Sequence, residues 1–177
     1  AANGVIDDGV RLRDGGSGAT AYADAITTYL AFVVDKCADY WSTICSWHNT
    51  GEKIRNTFGR QAIPMTWDFA ETNPFSSSTG NWMAMVNWVR KSVDHLPASG
   101  SSEVVQRDTR ARVRETVGAV VSTDPPYYDS VPYSDLSDFF YVWLRRNLAE
   151  VWPDECATLL TPKADELVAD NKRFGSR

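Results

Sequence analysis

Apolar residues recur at three- and four-residue steps along residues 21–46, which is the spacing of one face of an α-helix. The repeating positions are Ala21, Ala25, Ile26, Tyr29, Leu30, Val33, Cys37, Tyr40, Trp41 and Ile44. This pattern predicts a long amphipathic helix from Ala21 to Ser46. Thr20 is its predicted N-cap, and Gly51 follows as the glycine that ends the helical segment.

Two more helical stripes follow along the chain. Apolar residues at helical spacing predict a helix over residues 80–96 and another after Ser134, which we take as an N-cap with Asp135 and Asp138 in the first turn. The residues between the first two helices are less regular. They predict a short helix near Lys53–Thr57 and an extended piece at 62–65, and the tail from Asp154 predicts one more helical segment.

The periodicity changes after the linker at residues 97–102. Residues 103–106 predict a short strand. The run Val117-Gly118-Ala119-Val120-Val121-Ser122-Thr123 is continuous and rich in valine, as expected of a buried parallel strand. The predicted fold class is therefore α/β, with part of a parallel sheet, a large helical insertion and a helix-rich chain overall. Its parts are a loop or ragged chain end (1–19), a helical segment (20–100) and part of the α/β core (101–177).

Composition and charge narrow the functional classes. The chain of 177 residues is 43% hydrophobic and 23% charged, as is typical of a folded domain. Its net charge of -5 argues against a nucleic-acid binder held by a global basic field, although an enzyme needs a basic cleft only. No apolar run approaches the ~18 residues of a membrane span, and the N-terminal residues lack a signal-peptide pattern.

Three cysteines, Cys37, Cys45 and Cys156, occur without CxxC spacing, so we expect no disulfide framework and a cytoplasmic location. Cys37, Cys45 and His48 could share a helix face as metal ligands, but buried thiols are the favoured interpretation. The Gly15-Gly16-Ser17-Gly18 stretch is interpreted as a loop. A cofactor-binding loop is the alternative, although no apolar strand precedes it.

The most informative motif is Asp124-Pro125-Pro126-Tyr127, which directly follows the predicted buried strand. Ligands of open α/β sheets bind at the carboxyl ends of strands. The two prolines fix the backbone, so that Asp124 and the carbonyl of Pro125 can accept the two N–H donors of an exocyclic amino group. Tyr127 offers a flat face on which an extruded base can stack. The motif thus predicts an amino-methylation site that works mainly by positioning.

Charged and aromatic residues around the motif extend the predicted site. Asp108 ends another predicted strand, where an acid can accept from the adenine amino group of a cofactor; an N-cap role is the equal alternative. The predicted nucleic-acid contacts are Tyr128, Arg107, Arg110 and Arg112, with Arg114 in the same basic cluster. Arg145-Arg146 is a weaker candidate for the same role.

Three long stretches resemble one protein family. They are ADAITTYLAFVVDKCADYWSTICSWH, KIRNTFGRQAIPMTWDFAETNPF and STDPPYYDSVPYSDLSDFFYVWLRRNL. Together they closely resemble the large adenine-specific DNA methylases of bacteria and archaea over roughly residues 19–170. The resemblance implies a class I methyltransferase fold, S-adenosyl-L-methionine as methyl donor and adenine N6 in DNA as acceptor. Carried over by position, it assigns Asp124, Pro125, Pro126 and Tyr127 to the amino-binding motif.

This chain also departs from the family pattern. Such enzymes carry a Gly-rich F-x-G-x-G cofactor motif, which this sequence lacks, and they often have Gly-Asp where this chain has Arg107-Asp108. We therefore expect an internal fragment of a DNA adenine methyltransferase, whose partners are DNA and the rest of its own polypeptide or a partner subunit. The helical segment, with Lys53, Arg55 and Arg60, is a second hypothetical contact with DNA or a partner, and solvated helix faces with core packing are the favoured alternative. The alternatives are an amino methyltransferase for cytosine N4 or RNA, and a non-catalytic helical binding or assembly module.

Overall fold

Helices dominate the part of the chain that the structure describes. The computed structural model describes residues 4, 6–67, 69–97, 104, 120–124, 131–164, 166–169 and 175. These form three α-helices and two short strands: α1 (Ala19–Trp41), β1 (Trp47–His48), β2 (Lys53–Ile54), α2 (Trp82–Asp94) and α3 (Tyr133–Leu148). Two 3-10 turns lie at Leu12–Asp14 and Asn49–Gly51. None of the described helices is long and apolar enough to cross a membrane.

Helix α1 packs against both other helices and has a buried face toward each of them. On one side Ala31 packs with Leu148 and Cys156, and Leu144 and Trp152 cover this cluster. On the other side Val33 and Cys37 pack with Met85. Partly buried residues complete this second cluster: Tyr40, Trp82, Val86 and Val89. Because successive helical residues point in different directions, Ala31 and Val33 serve two separate cores.

Two tryptophans tie distant segments to α1. The Trp41 indole donates a hydrogen bond of 2.7 Å to the carbonyl of Gly80, and the Trp152 indole donates one of 2.9 Å to Thr28 Oγ1. Each ring is partly buried while its N–H is satisfied, which is the usual requirement for tryptophan in a core. Trp41 and Trp152 thus link helices to loops.

The long helix is confirmed, with shifted ends. It begins at Ala19 with Gly18 as N-cap, so the prediction of Thr20 as the cap is wrong. It ends at Trp41 because the Ser42 side chain accepts from Ile44 N (3.1 Å) and its carbonyl accepts from Cys45 N (3.3 Å). Serine turns of this kind compete with helical hydrogen bonding. Gly51 lies in a 3-10 turn after β1 and does not end the helix.

Helices α2 and α3 lie where the periodicity predicts them. Both ends of α2 and the start of α3 differ from the predicted bounds by no more than two residues. Asn81 caps α2 by accepting from Ala84 N at 2.9 Å. The predicted short helix near Lys53–Thr57 is wrong, because Lys53 and Ile54 form β2 and pair antiparallel with His48 and Trp47. Residues 62–65 and the described tail from Asp154 onward lie in no helix or strand.

The parallel sheet is not seen among the described residues, whose one sheet has two antiparallel strands. The described end of the predicted buried strand, residues 120–123, lies in no strand, and Val120 and Val121 are 94% and 80% exposed. A valine-rich run becomes a buried strand only where partner strands pair with its backbone and helices cover its faces. The rest of this strand, and the strand predicted at 103–106 apart from exposed Val104, lie outside the described residues.

We expect Met85→Ala to destabilise the protein by about 2–5 kcal/mol, because it leaves a cavity in the cluster between α1 and α2. Met85 is 4% exposed, whereas Met83 in the same helix is 61% exposed. Met83→Ala is therefore the matched control and should change the free energy of unfolding by no more than about 0.5 kcal/mol. Urea denaturation measures both variants. Equal losses would show that α2 does not depend on this core.

Candidate nucleic-acid interface

A cavity of about 590 Å³ lies against the first half of α3. One wall is the loop after β2, with Phe58, Gly59, Arg60 and Gln61. The other wall is α3, with Tyr133, Leu136, Ser137 and Phe140. Helix α3 begins shortly after the Asp-Pro-Pro-Tyr motif in the sequence. This cavity therefore borders the first described helix that follows the predicted target-base site in the sequence.

The loop wall is held by a buried carboxylate on α1. Asp39 Oδ1 accepts from the backbone amides of Thr57 (3.0 Å) and Phe58 (3.2 Å). In return, Thr57 Oγ1 donates to the carbonyl of Asp39 at 2.7 Å. Both Asp39 and Thr57 are buried, so these bonds form away from competing water. The position of Phe58 and of the residues after it follows from this contact.

Three phenylalanines join the loop to α3. The Phe58 ring centroid lies 5.1 Å from that of Phe139 in an edge-to-face arrangement and 5.3 Å from that of Phe140. Phe139 and Phe140 are themselves 5.1 Å apart. Such aromatic contacts stabilise a defined packing geometry beyond simple burial. The cavity therefore has a firm apolar side, next to the exposed side chains of Arg60 and Gln61.

Arg60 gives the cavity a cationic rim. A guanidinium group binds phosphate oxygens through several N–H donors at once, and the Gln61 amide adds donors and an acceptor. A flat apolar wall beside such groups suits a nucleotide, which carries a ring and a phosphate. Sequence reasoning included Arg60 as a DNA contact but missed Phe58 and Gln61, because they lie in a segment without regular periodicity.

The start of α3 is held by a residue from the tail. The amide of Ser134 donates to Glu166 Oε1 at 2.9 Å, and the Ser134 hydroxyl donates to Glu166 Oε2. Pro132 occupies the N-cap position, so the prediction of Ser134 as the cap is wrong. A carboxylate at a helix N-terminus satisfies exposed amides and complements the helix dipole. Glu166, from the tail, thus accepts the hydrogen bonds at the start of α3 that the sequence predicted Ser134 would accept.

A second carboxylate on α3 binds the same tail. Asp138 Oδ2 lies 2.6 Å from Lys163 Nζ, and Asp138 Oδ1 accepts from both the amide (2.9 Å) and the hydroxyl (2.6 Å) of Thr161. Burial acts to raise the pKa of Asp138, but the hydrogen bonds from Lys163 and Thr161 outweigh it and leave the pKa below its ordinary value. These bonds therefore fix the tail at Thr161 and Lys163 against α3, although its described residues form no helix.

Most of the predicted site residues lie outside the described residues. Asp124 is described: it is exposed, lies in no helix or strand, and makes no hydrogen bond with another described residue. The motif residues Pro125, Pro126 and Tyr127 lie outside the described residues. The same holds for the other predicted contacts: Tyr128, Asp108, Arg107, Arg110, Arg112 and Arg114. The geometry proposed for the amino-binding motif and the role of Asp108 stay predictions.

Arg145 and Arg146 differ in their surroundings. Arg145 is half-buried, with Nε enclosed and without a hydrogen-bond partner among the described residues. Arg146 is exposed, with its guanidinium 6.0 Å from the Trp143 ring centroid. Neither residue lines the cavity beside Phe58. Arg60 is thus the arginine that the structure places at this cavity.

The backbone of the glycine-rich loop before α1 is hydrogen-bonded to two nearby carboxylates, those of Asp7 and Asp8. Asp8 Oδ2 accepts from the amides of Ser17 (3.0 Å) and Gly18 (3.2 Å), and Asp7 accepts from both the amide and the hydroxyl of Thr20. A Cβ on Gly18 would lie 2.5 Å from the amide nitrogen of Asp8, so the close approach requires glycine. These amides are therefore occupied, which favours the loop interpretation over a cofactor cradle.

All three cysteines are free and buried, in agreement with the core-thiol interpretation. Burial raises the pKa of the Cys37 thiol to about 11. The Cys45 thiol lies within hydrogen-bond distance of the Ser42 carbonyl, at 2.8 Å. Across the described residues, no three His, Cys, Asp or Glu side chains gather closely enough to hold a metal ion.

Comparisons with protein-family models, with curated proteins and with solved structures find no match to this chain. The resemblance to adenine-specific methylases therefore rests on the sequence motifs described above.

We expect Asp138→Asn to flatten the dependence of stability on acid pH. A carboxyl whose pKa is lower in the folded protein stabilises it above the unfolded pKa of about 3.9, and this contribution is lost as pH falls through the folded pKa. The parent protein should thus lose stability faster than the variant between neutral pH and pH ~3. Urea midpoints across this range measure the difference.

The control for this experiment is Asp154→Asn, since Asp154 is exposed and its side chain makes no hydrogen bond with the described residues. It should follow the pH profile of the parent protein. Identical profiles for Asp138→Asn and the parent would mean that the contact with Lys163 does not stabilise the fold.

Proposed function

We propose that this chain is part of an S-adenosyl-L-methionine-dependent methyltransferase that acts on adenine N6 in DNA. The observation that carries the proposal is the Asp124-Pro125-Pro126-Tyr127 motif, ahead of a helix whose first half borders an aromatic, arginine-rimmed cavity. Motif and cavity supply complementary functions. The motif suits the amino group of a base, and the cavity suits an adjoining part of a nucleotide strand.

The proposed work of the motif is positioning. Asp124 and the carbonyl of Pro125 each accept one N–H of the target amino group, which directs its nitrogen lone pair outward for methylation. The side chain of Asp124 is exposed and engaged with no described residue, so it is available to a ligand. Little base strength is required, because the amine loses a proton readily once it has been alkylated. Tyr127 and Tyr128 would hold the extruded base by stacking.

The described residues do not fit the methyl donor. A nucleoside cofactor needs a glycine-rich loop with unoccupied amides next to a parallel strand. The loop at 15–18 follows no strand, and the amides of Ser17 and Gly18 are bound to Asp8. We therefore assign to this chain the contacts with the acceptor base and propose that the donor is held mainly by the rest of the polypeptide or by a partner subunit.

A second candidate function is a non-catalytic binding or assembly module. The helical architecture without a parallel sheet among the described residues favours it, as does the net charge of -5. Isothermal titration of the 177-residue chain with S-adenosyl-L-methionine tests both candidates, because tight binding would exclude a non-catalytic module. Tight binding would contradict the assignment of the donor site to other residues. Within the enzyme class, the amino groups of cytosine N4 and of RNA bases are the alternative acceptors, and substrate competition distinguishes them.

We predict that Asp124→Ala in the full-length protein abolishes methyl transfer with little loss of stability, because an exposed side chain contributes little to folding. Transfer of a tritiated methyl group to duplex DNA measures the effect. Asp154→Ala, which removes another exposed carboxylate, should leave transfer unchanged. Full activity of the Asp124 variant would refute the amino-binding role, whatever its stability.

We predict that Arg60→Glu weakens DNA binding by the full-length protein about tenfold or more, because it replaces a phosphate-binding cation with a repelling carboxylate at the cavity rim. Lys91→Glu makes the same charge change at an exposed site on α2 and serves as control. Fluorescence anisotropy with a labelled duplex at two salt concentrations gives both affinities. If both variants lose affinity equally, the effect is one of net charge and the cavity makes no direct contact.

A further inference from the structure

A second polar cavity, of about 310 Å³, lies between α1 and the loop that precedes α2. Lys36, Tyr40, Met85 and Trp88 line its helical side. The loop supplies Ser77, Ser78, Thr79, Gly80 and Asn81. It shares no lining residue with the cavity beside Phe58. Its walls combine one cation, several hydroxyls and an aromatic face, which is a chemistry different from that of the apolar core beneath it.

The cation is held in place by aromatic rings. Lys36 Nζ lies 4.7 Å from the ring centroid of Trp88 and 5.6 Å from that of Tyr40. Cation–π contacts restrict an otherwise flexible lysine and leave its N–H donors available. The Trp88 ring is 62% exposed, so part of it remains open beside the ammonium group. These contacts hold the Lys36 ammonium group at a defined position, where a ligand can bind it.

No described carboxylate neutralises this cation. Among the described residues, Lys36 Nζ has no carboxylate oxygen within 4.0 Å. Asp39, one turn along α1, directs Oδ1 to the amides of Thr57 and Phe58. Burial raises the pKa of Asp35, the preceding residue, to about 7, so its carboxyl is largely uncharged below neutral pH. With no carboxylate oxygen of a described residue within 4.0 Å, the Lys36 ammonium can pair with an anion in the cavity.

The loop wall is preorganised. Gly80 has a φ of 91°, which favours glycine, and its carbonyl accepts the 2.7 Å hydrogen bond from Trp41. Ser76 Oγ binds both the carbonyl of Asn73 (2.9 Å) and Ser78 Oγ (2.6 Å). In contrast, the hydroxyls of Ser77 and Thr79 bond to no described residue. The loop thus contributes two residues with unengaged hydroxyls to the same cavity that Lys36 lines, and a fixed site loses little entropy on binding.

We infer that this cavity binds a phosphate ester. Lys36 Nζ would contact the phosphate oxygens, the hydroxyls of Ser77 and Thr79 would donate to them, and the open part of the Trp88 ring would pack against the esterified group. A phosphate accepts hydrogen bonds from several directions, which matches donors on two walls better than a planar carboxylate does. Its source is either a nucleic-acid backbone or a free nucleotide. The inference does not depend on the methyl-transfer proposal.

The test uses the 177-residue chain, labelled with nitrogen-15, and two probes: AMP and a short oligo(dT) strand. We expect AMP to shift the amide signals of Thr79 and Gly80 and the indole signal of Trp88. Lys36→Gln should weaken this binding about tenfold, as expected when a charge-assisted contact is lost. Lys36→Arg should retain most of it, since the cation and its stacking persist.

The control is Lys91→Gln, which removes the same charge from an exposed position on α2 and should bind as the parent protein does. If oligo(dT) produces the same Lys36-dependent shifts, the phosphate comes from a nucleic-acid strand. Shifts with AMP alone assign a free nucleotide. Binding by Lys36→Gln equal to that of Lys91→Gln, or shifts outside this cavity, would overturn the inference. If Lys36→Gln fails to fold, Ser77→Ala combined with Thr79→Ala gives the same test at exposed positions.

Discussion

The contact between Asp39 and Thr57 determines where the loop after β2 lies. It consists of hydrogen bonds from the Thr57 and Phe58 amides to the Asp39 side chain and from the Thr57 hydroxyl to the Asp39 carbonyl. Asp39 and Thr57 are buried, and Phe58 is half-buried. A buried carboxylate without hydrogen bonds would destabilise the folded state, so the loop and the end of α1 stabilise each other. Phe58 can reach α3 because this contact turns the loop toward it. The cavity with Arg60 is a consequence of the same contact.

Helix α1 connects this contact to the two cavities. Its buried faces pack against α3 through Ala31 and against α2 through Val33 and Cys37. Asp39 near its end positions the cavity rimmed by Arg60, and Lys36 one turn earlier contributes to the cavity beside α2. Two candidate sites for parts of a nucleotide therefore depend on neighbouring turns of one helix. A protein that handles a nucleic-acid strand needs several such contacts in fixed relation.

Many hydrogen bonds and ion pairs in this fold join residues that are far apart in the sequence. Glu166 occupies the amide of Ser134, Lys163 pairs with Asp138, and Trp152 donates to Thr28. The described residues after α3 form no helix, so these side-chain bonds take the place of regular structure there. Asp8 makes a comparable contact at the other end, with the glycine-rich stretch before α1. Such contacts explain why local capping rules misassigned Thr20 and Ser134.

The amino-acid sequence by itself determined the helices and the motif. Hydrophobic periodicity located α1, α2 and α3 because each buries an apolar stripe, and periodicity is a local property. It also supplied Asp124-Pro125-Pro126-Tyr127, whose chemistry follows from residue types and order. Only the tertiary structure decided that Phe58 and Arg60 border α3 and that Glu166 satisfies Ser134. It also decided that Lys36 and Thr79 line one cavity, with no carboxylate oxygen of a described residue within 4.0 Å of Lys36 Nζ. Those pairings join positions distant in the chain, and no local pattern encodes which of many polar residues will meet.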